Sequence, residues 1–468
     1  MNRLLSMTPV GAVCALLIPL AGIAADAPVD TTALRLGQVR GDTLLVDRGR
    51  LISLALERNE MLAASGAMRD AAGAEALGAW RGFTPQIQLG EFFLRSDDAL
   101  SSFGVKLQNR QVTAADFNPV LLNDPGETDN FITRLQLLQP IFNGGMGIYG
   151  KQAADAASRA AEHTHRRATE TVRYNAVQAY EGLALAGAYV EVMEAAVRSA
   201  EGHVRQADAM VKEGLATEAD RLQAGVFLSA LKQQLIEVRN LAAIAGENIK
   251  LLTAVSTPLL LAAAPAATTP DGSDLPVAVD AAVVARRSDL LAGREQATAA
   301  GKMVGVARGA VLPRVNLSLQ RDYYSHEDLF GSDASSWSLG VYATMGFGIG
   351  NLGEIRKAKA QSRAASYLAD FQARQASVQA TEAWLRANAA LEKAAVAEDA
   401  VAASREGLRI VTNQYREGLA SMVDLLDTQA ATTMAEGNLV QARHDLAVGL
   451  ANLEFSGALP SADDPNAQ

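Results

Sequence analysis

The stretch YREGLASMVDLLDTQA (Tyr415–Ala430) restates a phrase used 204 positions earlier, VKEGLATEADRLQA (Val211–Ala224). In both, Glu-Gly-Leu-Ala interrupts a helical pattern. Gly214 and Gly418 can take the left-handed conformation that ends a helix. Thr217 and Ser421 can then cap the next helix, with Asp220 and Asp424 three residues on, at capping-box spacing. Each phrase therefore reads as a helix–turn–helix tip. The cap leaves Asp427 unexplained: it follows Asp424 by three residues on the same helix face.

Upstream of each tip runs a very long helical pattern. Residues recur at alternating steps of four and three from Val172 through Ala176, Ala179 and Leu183 to Val211, and again from Ala376 through Ala380, Ala383 and Ala387 to Tyr415. A strict 3.5-residue period is a coiled-coil seam; an ordinary 3.6-residue helix would drift off it by ~20° per heptad. The second seam is mostly Ala, so backbones approach closely there. Lys151 to Glu213 spans about 95 Å as helix, and Glu354 to Glu417 about 96 Å. The shorter helical stretches 51–80 and 217–254 together match one long helix. This predicts two short helices stacked end to end beside each long one.

At the far end of the long helices the period changes to two. FTPQIQLGEFFLR, FITRLQLLQPIF, PRVNLSLQ and SWSLGVYATMGF alternate apolar residues with Gln, Arg, Asn, Ser or Thr. That pattern suits transmembrane β-strands with a lipid face and a wet lumen. Pro85, Pro140 and Pro313 fall at strand–helix junctions, where no ladder donor is needed. Four strands cannot close a barrel, so membrane-embedded edges must pair across chains. Two chains would give eight strands and three would give twelve.

The same order of elements occurs twice, and the chain divides accordingly. Residues 1–25 read as a signal peptide, 26–50 as an N-terminal equatorial segment, 51–256 as a first repeat, 257–280 as an equatorial linker, 281–457 as a second repeat and 458–468 as a tail. The leader rests on Arg3, the apolar run after it and the small residues near Ala25. Cys14, the only cysteine, lies inside it, so thiol and disulfide chemistry are not expected of the mature chain. No other stretch offers 18 uninterrupted apolar residues. The composition, 49% hydrophobic but only 5% aromatic, favours closely packed helices, and a net charge of −10 argues against a nucleic-acid surface.

The tip phrases, with PIFNGG and the duplicated plan, resemble the TolC-type outer membrane efflux proteins over nearly all of the mature chain. The resemblance implies a mainly α fold with a β-barrel portion: a homotrimer whose 12-strand β-barrel in the outer membrane continues into a 12-helix α-barrel in the periplasm. It implies a duct that works with a periplasmic adaptor (a membrane fusion protein) and an inner-membrane pump to expel drugs, metals or proteins, with no catalytic residues, cofactor or metal. By the same likeness Gly214, Leu215, Gly418 and Leu419 match tip turns that meet the adaptor. Asp424 and Asp427 match an acidic constriction, and Asp220 and Tyr415 match positions of a gate. The chain departs from the family's founding member at Ala420, which replaces a gating arginine, and Gln223 stands where the second copy has Asp427.

Two other classes compete with this reading. An enzyme is disfavoured because His163, His165, His203, His326 and His444 form no ligand pattern and read as surface residues, and no phosphate loop or nucleophile motif appears. A periplasmic coiled-coil adaptor or scaffold is the alternative; it should carry one central hairpin, whereas this chain has two in tandem.

Overall fold

A computed structural model of the chain describes residues 32–264 and 275–459. The expected leader lies outside these residues, as do parts of the segments that flank the repeats.

In chain order the elements are β1 (Gly37–Arg40), β2 (Thr43–Val46), α1 (Arg48–Arg58), α2 (Glu60–Gly78), β3 (Gln86–Ser96), α3 (Ala99–Gln108), α4 (Pro119–Asn123), β4 (Thr128–Asn143), α5 (Met146–Lys212), α6 (Glu218–Thr253), β5 (Leu260–Ala263), α7 (Ala281–Val284), α8 (Ser288–Gly309), β6 (Arg314–Ser325), β7 (Ala334–Thr344), α9 (Ile349–Arg416) and α10 (Met422–Ser456). Short 3-10 turns lie at Ala33–Leu36, Ala79–Gly82 and Ala114–Phe117.

The long helices α5 and α9 have 67 and 68 residues, about 100 Å each. Every position of both heptad seams is buried or half-buried. Beside α5 lie α2 and α6; beyond it lie α8 and α10, and α9 closes the row. The shorter helices are stacked end to end as the lengths predict. The Asn59 side chain donates to the Leu252 carbonyl where α6 ends and α2 begins. The Arg287 guanidinium donates to the Ser456 carbonyl where α10 ends and α8 begins. The two repeats thus make the same joint with different side chains.

Two local expectations are corrected. Residues 51–80 are not one helix: the backbone is extended at Asn59, whose side chain accepts from the Leu62 amide and caps α2. The tertiary bond to Leu252 fixes that break. Pro140 is inside β4 rather than at its end, at a register shift between Pro140 and Phe142. Lacking an N–H, a proline is tolerated in a ladder only at such an irregularity.

The four long strands form one antiparallel sheet in the order β3-β4-β6-β7, matching the order of the helix columns beneath them. One face presents Ile87, Leu89, Phe93, Leu135, Leu137, Leu319, Leu339 and Val341 in facing registers. The other is polar in the middle of the sheet: Arg134 makes a two-pronged ion pair with Asp322 at 2.9 and 3.2 Å, and Gln136 donates to Ser318. A second, small sheet of order β1-β2-β5 wraps α5 near its middle. There Leu36, Leu44, Val46, Leu51 and Leu54 pack with Val172, Ala176, Tyr180, Leu183 and Ile249 into the largest core. The matching core of the second repeat packs Val284, Leu290 and Leu453 against Ala376, Ala380, Ala383 and Ala387.

Candidate functional site

The two tip turns lie together at the end of the helices remote from the sheet. Each is built by the local sequence in the expected way. At the first, Gly214 has φ +73°, its amide donates to the Val211 carbonyl, and the Leu215 amide donates to Met210. At the second, Gly418 has φ +73°, with Gly418 donating to Tyr415 and Leu419 to Gln414. This is a Schellman ending, which satisfies helix carbonyls that would otherwise lack donors. Any side chain at these two glycines would be strained by the positive φ. Leu215 and Leu419, next in each turn, are exposed.

Both following helices start with a reciprocal capping box. Thr217 accepts from the Asp220 amide while Asp220 accepts from the Thr217 amide and hydroxyl at 2.9 and 2.8 Å. Ser421 and Asp424 repeat this at 3.0 and 2.6 Å. The bonds from the Ser421 hydroxyl and amide hold the Asp424 carboxyl below the usual carboxylate range, so it stays ionised at neutral pH. Asp427 is exposed and, among the described residues, makes no hydrogen bond or ion pair. Asp424 and Asp427 therefore put two carboxylates at the start of α10, one tied to the cap and one open.

Beneath the turns a small core joins all four helices: Ala207, Ala224, Tyr415, Met422, Leu425 and Leu426. The Tyr415 ring is buried, and its hydroxyl has no hydrogen-bond partner. Burial raises the Tyr415 pKa, and the nearby Asp220 charge raises it further. Tyr415 and Asp220 are thus brought close without a direct bond, because the cap occupies the carboxylate. Ala420 packs against the same core, where an arginine would not fit as an apolar filler.

One polar cluster near the tip escaped the sequence. His203, expected at the surface, is buried between α5 and α10. Its Nε2 lies 3.3 Å from both Ser199 Oγ and Gln429 Oε1, and the Ser199 hydroxyl donates to Gln429 at 2.5 Å. Burial, and the Arg416 charge to a smaller extent, push the His203 pKa down, while the Gln429 bond opposes this. A signal was present: His203 stands three residues after Ala200 and four before Ala207, on the seam side of the helix. The other four histidines are half-buried. Among the described residues there is no group of His, Cys, Asp or Glu able to hold a metal ion, and no helix long and apolar enough to cross a membrane.

A sheet with one apolar and one polar face, continued by two tandem helical hairpins, is the protomer architecture of an outer-membrane channel. The sequence matches the outer membrane efflux protein model over residues 51–255 and 281–456, and the chain belongs to that family. It is an outer-membrane channel protein of efflux systems. It is similar to the outer membrane efflux protein BepC of Brucella suis, at 26% identity over 67% of this chain and 69% of that protein. In fold it is similar to CusC, with a TM-score of 0.77 at 18% identity over 95% and 99% of the two chains. The Campylobacter jejuni CmeC outer membrane channel gives a TM-score of 0.77 at 18% identity over 96% of each chain.

Proposed function

We propose that three copies of this chain close into one water-filled duct through the outer membrane and into the periplasm, shut at the tip when idle. The observation that carries this reading is the row of columns with two open edges. Among the described residues β3 and β7 each pair on one side only, and unpaired strand edges are not tolerated in lipid. Four strands are too few for a barrel, whose smallest forms have eight; three copies supply twelve. The polar sheet face, with Arg134, Gln136, Ser318 and Asp322, would line the lumen.

Conduction is passive and involves no catalytic step. Asp424 and Asp427 from three copies form a ring of carboxylates that narrows the entrance and favours cations. Packing of the buried Tyr415 ring in the four-helix core holds the helix ends together, with Asp220 capping α6 beside it. Leu215 and Leu419, exposed on glycine turns, offer the contact for a periplasmic adaptor's hairpin, which parts the helices when an inner-membrane pump engages. In detergent the protein should have the mass of three chains. In planar bilayers the double variant Asp424→Asn/Asp427→Asn should lose cation preference relative to the parent. Unchanged selectivity removes the ring, and a stable monomer soluble without amphiphile removes the duct.

A further inference from the structure

The internal repeat identifies the residues at which one copy meets the next. Moving one repeat along the row carries α5 onto α9 and the α8/α10 column onto the α2/α6 column of the following copy. Two joints fix the numbering. Thr217 and Ser421 open α6 and α10 with the same capping box, 204 positions apart. Asn59 and Arg287, 228 apart, precede α2 and α8 and donate to the carbonyls of Leu252 and Ser456, again 204 apart. In the proposed duct, the positions of contacts between α5 and the α8/α10 column would therefore recur between α9 and the next copy's α2/α6 column.

Inside the chain, the Arg167 guanidinium lies 3.7 Å from the centre of the Phe455 ring and 3.8 Å from an Asp289 oxygen. Tyr174 stacks on the same phenyl ring at 4.7 Å. The counterparts of Arg167, Asp289, Phe455 and Tyr174 are Phe371, Met61, Leu251 and Val378. Both members of the ion pair have become apolar together, and all four counterparts are exposed, Leu251 at 83% and Met61 at 77%. Isolated large apolar side chains on a surface need no explanation, but complementary sets on the two open edges do.

A second level agrees. The Tyr149 ring of α5 lies against Gly305 of α8, where an added Cβ would come within 2.3 Å of it. The counterparts reverse knob and hole: Gly353, with open space around it, and Leu77, exposed at 71%.

We infer that copies of this chain join through an apolar seam in which Phe371 and Val378 of one pack on Met61 and Leu251 of the next, with Leu77 seated over Gly353. This rests on the multi-copy duct proposed above. At this height the seam within each chain combines an ion pair with stacked aromatic rings, whereas the four equivalent positions between chains are all apolar.

The test is chemical bridging in outer membranes, with Cys14→Ser as background. Leu251→Cys/Val378→Cys treated with a short bismaleimide should give a covalent ladder ending at three chains. Each single variant should give none. Tyr174→Cys/Phe455→Cys should bridge within single chains only. An oligomeric mass without the Leu251–Val378 ladder overturns the seam and leaves the duct standing; a monomeric mass overturns both. Gly353→Tyr alone should reduce the oligomer at least several-fold, and Leu77→Gly/Gly353→Tyr, which rebuilds the Tyr149–Gly305 arrangement, should restore it. Failure of that rescue, or an unaffected Gly353→Tyr, overturns the knob-and-hole contact.

Discussion

The helices α5 and α9 occupy equivalent places in the two repeats, yet they bury different residues and expose different faces. α5 fills its seam with Val172, Leu183, Met193 and Val197; α9 fills the same positions with Ala376, Ala387, Ala397 and Val401. On the flanks the order reverses. His163, Arg167, Tyr174 and Glu181 of α5 are half-buried beneath their neighbours, while the matching Tyr367, Phe371, Val378 and Leu385 of α9 are exposed. One helix has partners on both sides within its chain and the other on one side only. In the helix that lies at the edge, the seam is filled by smaller residues and the flank carries exposed apolar ones.

The swap at one pair of equivalent positions should have the largest effect. Leu183 is almost fully buried in the central core. Leu183→Ala should destabilise by ~2–5 kcal/mol through lost burial and an unfilled cavity. The equivalent Ala387→Leu should destabilise by ~1–3 kcal/mol for the opposite reason, overpacking: a Cβ at Gly449 would already lie 3.3 Å from the Ala387 Cα. Guanidinium unfolding followed by the far-ultraviolet helix signal measures both. If Ala387→Leu were neutral, α9 would not pack closely on α10 and the contrast between the helices would fail.

Much of this contrast was legible in the sequence because it is periodic. The heptads, the alternating strands and the repeated turn each depend on local side-chain spacing, and the structure has them where the spacing puts them. What was hidden depends on partners distant in sequence. The break at Asn59 is set by a carbonyl 193 residues away, with no proline or glycine to announce it. Pro140 stays in β4 because β4 bulges there against β6, with one extra residue between Pro140 and Phe142. The burial of His203 is hidden because its partner Gln429 is 226 residues away. For the tip, the turns and caps were readable because Gly214, Thr217, Gly418 and Ser421 each act within one helical turn.

The buried cluster sharpens the comparison further, since α5 carries it and α9 does not. The position in α9 equivalent to His203 is Gly407, and the one in α6 equivalent to Gln429 is Gly225. His203 faces Ser199 on its own helix, Gln429 on α10 and the Arg416 charge on α9. Unfolded, the imidazole takes a proton near pH ~6.5. Folded, it takes one only at lower pH. Between those values unfolding is accompanied by proton uptake, so stability falls as pH falls, by at most ~1.4 kcal/mol per pH unit. The parent should therefore lose more thermal stability than His203→Gln between about pH 7.5 and about pH 5.5. Equal losses would mean that the clasp does not keep the imidazole neutral.

The smallest effects belong to the two caps, which share one geometry but guard different first turns. Losing an N-cap hydroxyl typically costs ~0.5–2 kcal/mol, so Thr217→Ala and Ser421→Ala should be close in global stability. They should differ locally. The first turn of α10 inserts Met422 and Leu425 fully into the tip core. The first turn of α6 buries nothing until Ala224. Packing will hold α10 in place after its cap is lost, while α6 is held by little else. Amide hydrogen exchange should rise more at Ala219–Leu222 in Thr217→Ala than at Val423–Leu426 in Ser421→Ala. Equal exchange in both would mean that packing does not distinguish the tips and that the cap alone sets how readily each one opens.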